Sequence, residues 1–395
     1  MAEDQSIVFS LFLIFTGAAL VATLALYARQ ALIIGYIFLG VALGPWGLAW
    51  VSDTHLIADI AEVGIIFLLF LLGLNLTPQK LLHLLRQTTL VTLITSIVFC
   101  FAGWLLARAF GFTVAESMLV GVTAMFSSTI IGIKLLPTTV LHHRHTGEVI
   151  ISVLLLQDLI AILVLMVLQG LQSAESTSAA ALMRDTAALV LALPALVALA
   201  YLLERYVLLP LFQKFDRVQE FVFLLTLAWC LGVAQLAKSI GLSYEIGAFI
   251  GGIIVATNPI ALFIAESLKT LRDFFLVLFF FALGASLNLD IAGEVVVPAI
   301  ILGIAMLALK PPVYRVAIGS VAETPKLAWE TGWRLGQMSE FSLLITFLAL
   351  QIPSIGEPAV FMIQLATLIT FVGSSTVVVL RFPTPVAVSD RLRRD

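Results

Sequence analysis

The chain has 395 residues, of which 61% are hydrophobic and 11% charged, and its formal net charge is −3. Soluble domains carry about 25% charged residues, so this composition excludes a soluble globular protein and indicates a polytopic membrane protein. The small net charge favours neither a nucleic acid nor an acidic substrate as partner. No HExxH, GxSxG or P-loop motif is present, so neither enzyme activity nor a cofactor is expected.

Apolar runs of about 20 residues, separated by short loops, predict an all-α fold with about thirteen membrane-spanning helices in contact with the lipid bilayer. The predicted spans are residues 6–27, 31–48, 56–76, 88–108, 114–136, 147–169, 184–205, 218–238, 242–257, 269–286, 294–316, 329–351 and 357–381. Residues 382–395 are expected to form a short tail.

Lysine and arginine residues set the predicted orientation. With the N-terminus outside, most of the 21 Lys and Arg residues face the inside, whereas Arg108, Arg184 and Lys238 face the outside. Lys310 lies within a span. The asymmetry therefore predicts an external N-terminus and a cytoplasmic C-terminus.

Two stretches of similar sequence lie 212 residues apart, IGYIFLG at 34–40 and IGAFIGG at 246–252. Equivalent spans are then seven positions apart, and successive spans cross the membrane in alternating directions. Spans 1–6 and 8–13 are therefore expected to form repeats of opposite orientation, with span 7, residues 184–205, as the linker. Inverted repeats are typical of secondary transporters, whose substrates bind near the midplane at discontinuous helices.

The same offset places Ser127-Ser128 on Ser339-Glu340, at the centres of spans 5 and 12. Polar side chains clustered at mid-span predict that both helices are interrupted there and cross. The alternative is that the hydroxyl groups bond back to an unbroken helix and bend it.

Asp158 lies beside Gln157 in the middle of the apolar run SVLLLQDLIAILV at 152–164. A carboxylate at bilayer depth costs about 3 kcal/mol or more, so such a residue generally faces the bundle interior and binds an ion or a proton. Pairing with another buried polar group is the structural alternative. Burial disfavours the charged form of a carboxylate, so the group favours a partner that neutralises it. A proton and a cation can each do so, and they would compete for the same two oxygens.

Alkali cations take oxygen ligands. The expected ligands of K⁺ or Na⁺ are Asp158, Ser128 and Thr129, and the hydroxyl of Ser127 and the amide of Gln157 complete the predicted ion- and proton-binding site. Lys310, Glu340 and Ser339 are expected to support the core around it. His142, His143 and His145 are interpreted as part of a solvated basic loop, with a metal site or a pH sensor as alternatives.

Stretches along almost the whole chain resemble the cation:proton antiporter superfamily, and its KefB/KefC-type potassium/proton branch in particular. The resembling stretches are GYIFLGVALGPWGL (35–48), EVGIIFLLFLLGLNL (62–76), FSSTIIGIKLL (126–136), LLLQDLIAI (154–162), EIGAFIGGIIVA (245–256), LFFFALGASLN (278–288) and LGQMSEFSLL (335–344).

The resemblance implies a homodimer of the inner (plasma) membrane. Residues 1–76 and 218–286 would form the dimerisation scaffold, and residues 77–169 and 294–381 a core that carries the ion by an elevator-like motion. Relatives end in a nucleotide-binding regulatory domain, which these 395 residues do not match, so a separate regulatory subunit is one alternative.

The sequence thus predicts a monovalent cation/proton antiporter in which Asp158 binds the cation and the proton in turn. One ionisable carboxylate indicates electroneutral exchange, because each turnover trades one positive charge for another. A cation channel and an ion or proton sensor on the same fold are the alternative functions.

Overall fold

The computed structural model describes residues 7–28, 30, 32–51, 54–74, 78–134, 145–173, 179–215, 217–287, 289–319 and 324–384. His142, His143 and the side chain of His145 lie outside the described part, so the histidine loop stays a prediction.

The described residues are mostly α-helical, which confirms the predicted all-α fold. In chain order the helices are α1 Ile7–Tyr27, α2 Leu32–Leu43, α3 Thr54–Leu74, α4 Pro78–Ala109, α5 Val114–Met125, α6 Thr129–Lys134, α7 His145–Ser173, α8 Ala179–Leu203, α9 Leu209–Phe215, α10 Gln219–Ser239, α11 Tyr244–Val255, α12 Ile260–Ala285, α13 Ala292–Gly319, α14 Pro325–Arg334, α15 Glu340–Ala349 and α16 Glu357–Arg381. A π-helical turn, Glu204–Leu208, joins α8 to α9.

Six described segments are long and apolar enough to cross a membrane: Ile7–Tyr27, Thr88–Ala109, Leu191–Phe215, Gln219–Ser239, Gly293–Gly319 and Glu357–Arg381. Shorter apolar helices accompany them, including α5 and α15. Large apolar side chains such as Leu90, Phe101 and Val316 are exposed on the helix surfaces, as expected where a bilayer replaces water.

The chain divides into two compact units. Unit 1 comprises Met1–Ser52, Leu84–Ala161 and Leu283–Asp395, and unit 2 comprises Asp53–His83 and Ile162–Ala282. These units do not coincide with the predicted scaffold and core, since α1 and α2 belong to unit 1, and the predicted domain division stays a prediction.

In unit 2, α3 packs closely against α11 through glycine. A β-carbon built on Gly73 or on Gly252 would lie within 3.0 Å of backbone atoms of the facing helix, which include the carbonyl oxygens of Phe249 and Phe70 respectively. Helices approach this closely where the contact residue has no side chain. A β-carbon built on the neighbouring Gly251 would lie 3.3 Å from the side chain of Val233, a tight contact but one with a side chain and not with the backbone.

In unit 1, both predicted interruptions are present. Helix α5 ends at Met125, Phe126 is extended with φ −78° and ψ 149°, and α6 begins at Thr129. Helix α14 ends at Arg334, and α15 begins after Ser339, whose backbone is also extended and whose hydroxyl caps the new helix. We call residues 126–128 the first break and residues 335–339 the second break.

Candidate functional site

Asp158 lies on α7 at the first break and is 1% exposed. The hydroxyl of Thr129, the first residue of α6, lies 3.2 Å from its Oδ1 and 3.1 Å from its Oδ2. A hydroxyl donor stabilises the ionised carboxylate but leaves most of its charge uncompensated. The geometry therefore holds an acid away from water with lone pairs available for a cation or a proton.

Gln157, next to Asp158, bonds to the backbone just before the first break and within it. Its Oε1 accepts the N–H of Ser127 at 3.0 Å, and its Nε2 donates to the carbonyl of Met125 at 3.1 Å. The same Nε2 donates to the hydroxyl of Tyr314 on α13 at 2.8 Å. Backbone groups that would otherwise be buried without partners are satisfied by this one amide.

The two serines of the first break connect it to the second. Ser127 Oγ donates to the carbonyl of Leu335 at 2.8 Å, and the carbonyl of Ser128 accepts from Gln337 Nε2 at 3.3 Å. Ser128 Oγ also accepts the N–H of Ile131 at 3.1 Å and so caps the start of α6. The extended segments therefore cross at Ser127 and Ser128.

Lys310 on α13 is 0% exposed and lies between the two breaks. Its Nζ donates to the carbonyl of Phe126 at 2.6 Å and to that of Gln337 at 3.0 Å, and it lies 5.3 Å from the ring centroid of Phe99. Carbonyls at interrupted helix ends carry partial negative charge, which an ammonium group compensates. Lys310 thus supports the crossing through backbone oxygens.

The second break is bonded to α16. The N–H of Met338 donates to Thr370 Oγ1 at 2.9 Å, and Ser374 Oγ donates to Gln337 Oε1 at 2.8 Å. Glu340, the first residue of α15, is 5% exposed.

Unit 1 therefore brings all the predicted site residues to one crossing: Gln157 and Asp158 from α7, Ser127, Ser128 and Thr129 from the first break and α6, and Lys310, Ser339 and Glu340 from the second repeat. Their predicted roles as ligands or supports stay predictions.

Sequence reasoning missed Tyr314, Gln337 and Thr370. Tyr314 follows Lys310 by four residues, so the two share a face of α13, and that spacing was a usable signal. Thr370 lies 212 residues after Asp158, so the repeat offset also pointed to it.

Two interrupted helices that cross beside a buried carboxylate are typical of secondary transporters. The chain matches the family described as "Sodium/hydrogen exchanger, transmembrane" over residues 11–382. It therefore belongs to that family, whose members are transporters that sit in membranes and exchange cations for protons. This assignment confirms the resemblance to the cation:proton antiporters.

Among curated relatives, the glutathione-regulated potassium-efflux system protein KefC of Escherichia coli O45:K1 is 30% identical over 353 residues, which cover 88% of this chain and 56% of KefC. The iron transporter MagA of Paramagnetospirillum magneticum is 26% identical over 318 residues, which cover 80% of this chain and 72% of MagA. The chain thus spans little more than half the length of KefC.

The fold matches the solved sodium proton antiporter MjNhaP1 of Methanocaldococcus jannaschii, with a TM-score of 0.70 over 94% of this chain and 95% of that one. The sequence identity is 15%, so the match shows the fold alone. It confirms the predicted antiporter-like architecture.

Proposed function

We propose that this chain exchanges one monovalent cation, K⁺ or Na⁺, for one proton, with Asp158 binding the two in turn. The observation that carries the proposal is the burial of Asp158 at the crossing of two interrupted helices, where the Thr129 hydroxyl is hydrogen-bonded to its carboxylate oxygens. Thr129 and Ser128 are the proposed neighbouring ligands.

The buried charges support a one-for-one exchange. Asp158 and Glu340 contribute two negative charges to the crossing when ionised, and Lys310 contributes one positive charge. One negative charge remains, and a buried site favours its neutralisation. Either one monovalent cation or one proton achieves that, so each exchange would leave the charge of the site unchanged.

Potassium and sodium are both consistent with oxygen ligands. The printed name of the relative KefC refers to potassium efflux, and the matching structure is that of a sodium antiporter. The proposal therefore includes both cations, and a transport assay with a series of alkali cations decides between them.

The decisive experiment compares wild-type protein with Asp158→Asn in proteoliposomes that contain a pH-sensitive dye. A cation gradient should drive proton movement in the wild type and not in the variant, because the amide cannot bind a proton reversibly near neutral pH. Asp273→Asn, which alters a half-exposed ion pair with Arg272, is the matched control and should retain activity. Proton movement at the wild-type rate in Asp158→Asn would refute the mechanism.

Two further measurements address stoichiometry and the channel alternative. Exchange at fixed ion gradients should not change with membrane potential if the cycle is electroneutral. Single-channel currents in a planar bilayer would favour a channel instead.

The remaining features of the proposal are a homodimer in the plasma membrane, an elevator-like motion of residues 77–169 and 294–381, and an external N-terminus. A cysteine introduced at Lys238, predicted to be external, should react with a membrane-impermeant thiol reagent in intact cells. Labelling only after the membrane is opened would contradict the orientation.

A further inference from the structure

We propose that Tyr314 is a positioning residue for the exchange, which holds the Gln157 amide at the first break and leaves Asp158, Ser128 and Thr129 as the groups that meet the ion. The inference rests on the proposed antiport function and deepens it. It also gives Gln157 and Ser127 a holding role in place of the ligand role that their sequence positions suggest.

The orientation of the Gln157 amide follows from its backbone partners. The N–H of Ser127 can only donate, so the amide atom facing it is the oxygen; the carbonyl of Met125 can only accept, so the atom facing it is the nitrogen. The second hydrogen of Nε2 is then directed at the Tyr314 hydroxyl, 2.8 Å away. Tyr314 therefore acts as an acceptor towards Gln157.

The proton of the Tyr314 hydroxyl must go elsewhere, and the neighbouring hydroxyl of Ser127 can accept it. Ser127 Oγ lies 3.2 Å away. Ser127 donates its own proton to the carbonyl of Leu335. The bonds thus run in one direction, from the Gln157 amide through Tyr314 to a hydroxyl and a backbone carbonyl.

This chain of hydrogen bonds is uncharged and rigidly placed. Tyr314 is 0% exposed, and its ring meets that of Phe99 edge to face at a centroid distance of 5.2 Å. Both amide hydrogens of Gln157 and the N–H and O–H of Ser127 are engaged. Without the phenol oxygen, the amide loses one of two acceptors and can rotate, which would disturb the break that places Thr129 beside Asp158.

The test is Tyr314→Phe, which removes the hydroxyl and keeps the ring against Phe99. We expect the cation concentration for half-maximal exchange to rise about tenfold, the scale of one lost hydrogen bond, while the maximal rate falls by a smaller factor. The matched control is Tyr27→Phe, since Tyr27 is 84% exposed. Combining Tyr314→Phe with Ser127→Ala should raise the half-maximal concentration by less than the product of the single effects, because both act on one chain of bonds.

The outcomes separate the two proposals. A wild-type protein that moves no protons in response to a cation gradient would overturn the antiport function and this inference with it. An active wild type with an unchanged half-maximal concentration in a folded Tyr314→Phe variant would overturn the inference alone. If Tyr314→Phe does not fold, Ser127→Ala decides, because it removes the hydroxyl that accepts the Tyr314 proton. A half-maximal concentration that rises at least threefold and by more than the maximal rate falls supports the directed chain, and a smaller change refutes it.

Discussion

Lys310 offers the sharpest test of how the crossing is stabilised. In Lys310→Met the two hydrogen bonds from Nζ, at 2.6 Å to Phe126 and 3.0 Å to Gln337, are lost while the two carbonyls stay buried. A hydrogen bond to a charged group contributes about 1.5–3 kcal/mol, so the gross loss is about 3–6 kcal/mol. Methionine removes the cost of burying an ammonium group, which offsets part of this loss.

The expected net destabilisation is about 3 kcal/mol, or a fall in Tm of about 6–12 °C at roughly 2–4 °C per kcal/mol. The assay is thermal unfolding of purified protein in detergent, followed by fluorescence-detected size exclusion. The matched control is Lys269→Met, because Lys269 is 60% exposed and 3.9 Å from Glu266, and such pairs contribute about 1 kcal/mol or less. If Lys310→Met melted within about 2 °C of the wild type, the bridging role of the ammonium group would be wrong.

Two adjacent glycines and one ion pair give further predictions. Gly252→Ala should destabilise the protein by about 2–4 kcal/mol, because its β-carbon meets the backbone of α3, whereas Gly251→Ala should cost about 1 kcal/mol or less. Equal melting temperatures for the two variants would contradict the close helix contact. Glu330→Gln should cost about 2–4 kcal/mol, because Arg334, 2.8 Å away, has a side chain that is 0% exposed and loses its carboxylate partner. The half-exposed pair of Arg272 and Asp273 is the control, and Asp273→Asn should melt close to the wild type.

The sequence predicted the fold and the location of the site for physical reasons that act locally. Long apolar runs require helices in a bilayer, because backbone groups cannot bond to lipid. Ser127, Ser128 and Ser339 marked the breaks because polar side chains at mid-span are costly unless the backbone opens around them. Asp158 stood out for the same reason.

The contacts across the crossing could not be predicted, because they join residues far apart in the chain. Lys310 gave no indication that its partners would be two backbone carbonyls, since composition and spacing report side chains alone. The spacing of Tyr314 from Lys310 places both on one face of α13, but the contact of Tyr314 with Gln157 depends on how α13 packs against α7. Sequence periodicity contains no information on that packing.

The repeat explains why one chain would hold a single exchange site. At the offset of 212 residues, Ser128 corresponds to Glu340 and Asp158 corresponds to Thr370, so each repeat has one acid and one hydroxyl at these two positions, in exchanged order. Thr370 uses its hydroxyl to bond the second break, a task that the amide of Gln157 performs at the first.

At the first break the hydrogen bonds from α7 to the backbone are made by Gln157. The neighbouring acid, Asp158, bonds to no backbone group among the residues that the structure describes. The acid of the other repeat, Glu340, begins α15, where the partial positive charge of a helix N-terminus stabilises a carboxylate. Of the two acids at these corresponding positions, one is thus held by its helix and the other by a single hydroxyl. The weaker hold on Asp158 is the physical reason to assign the exchange of cation and proton to that residue.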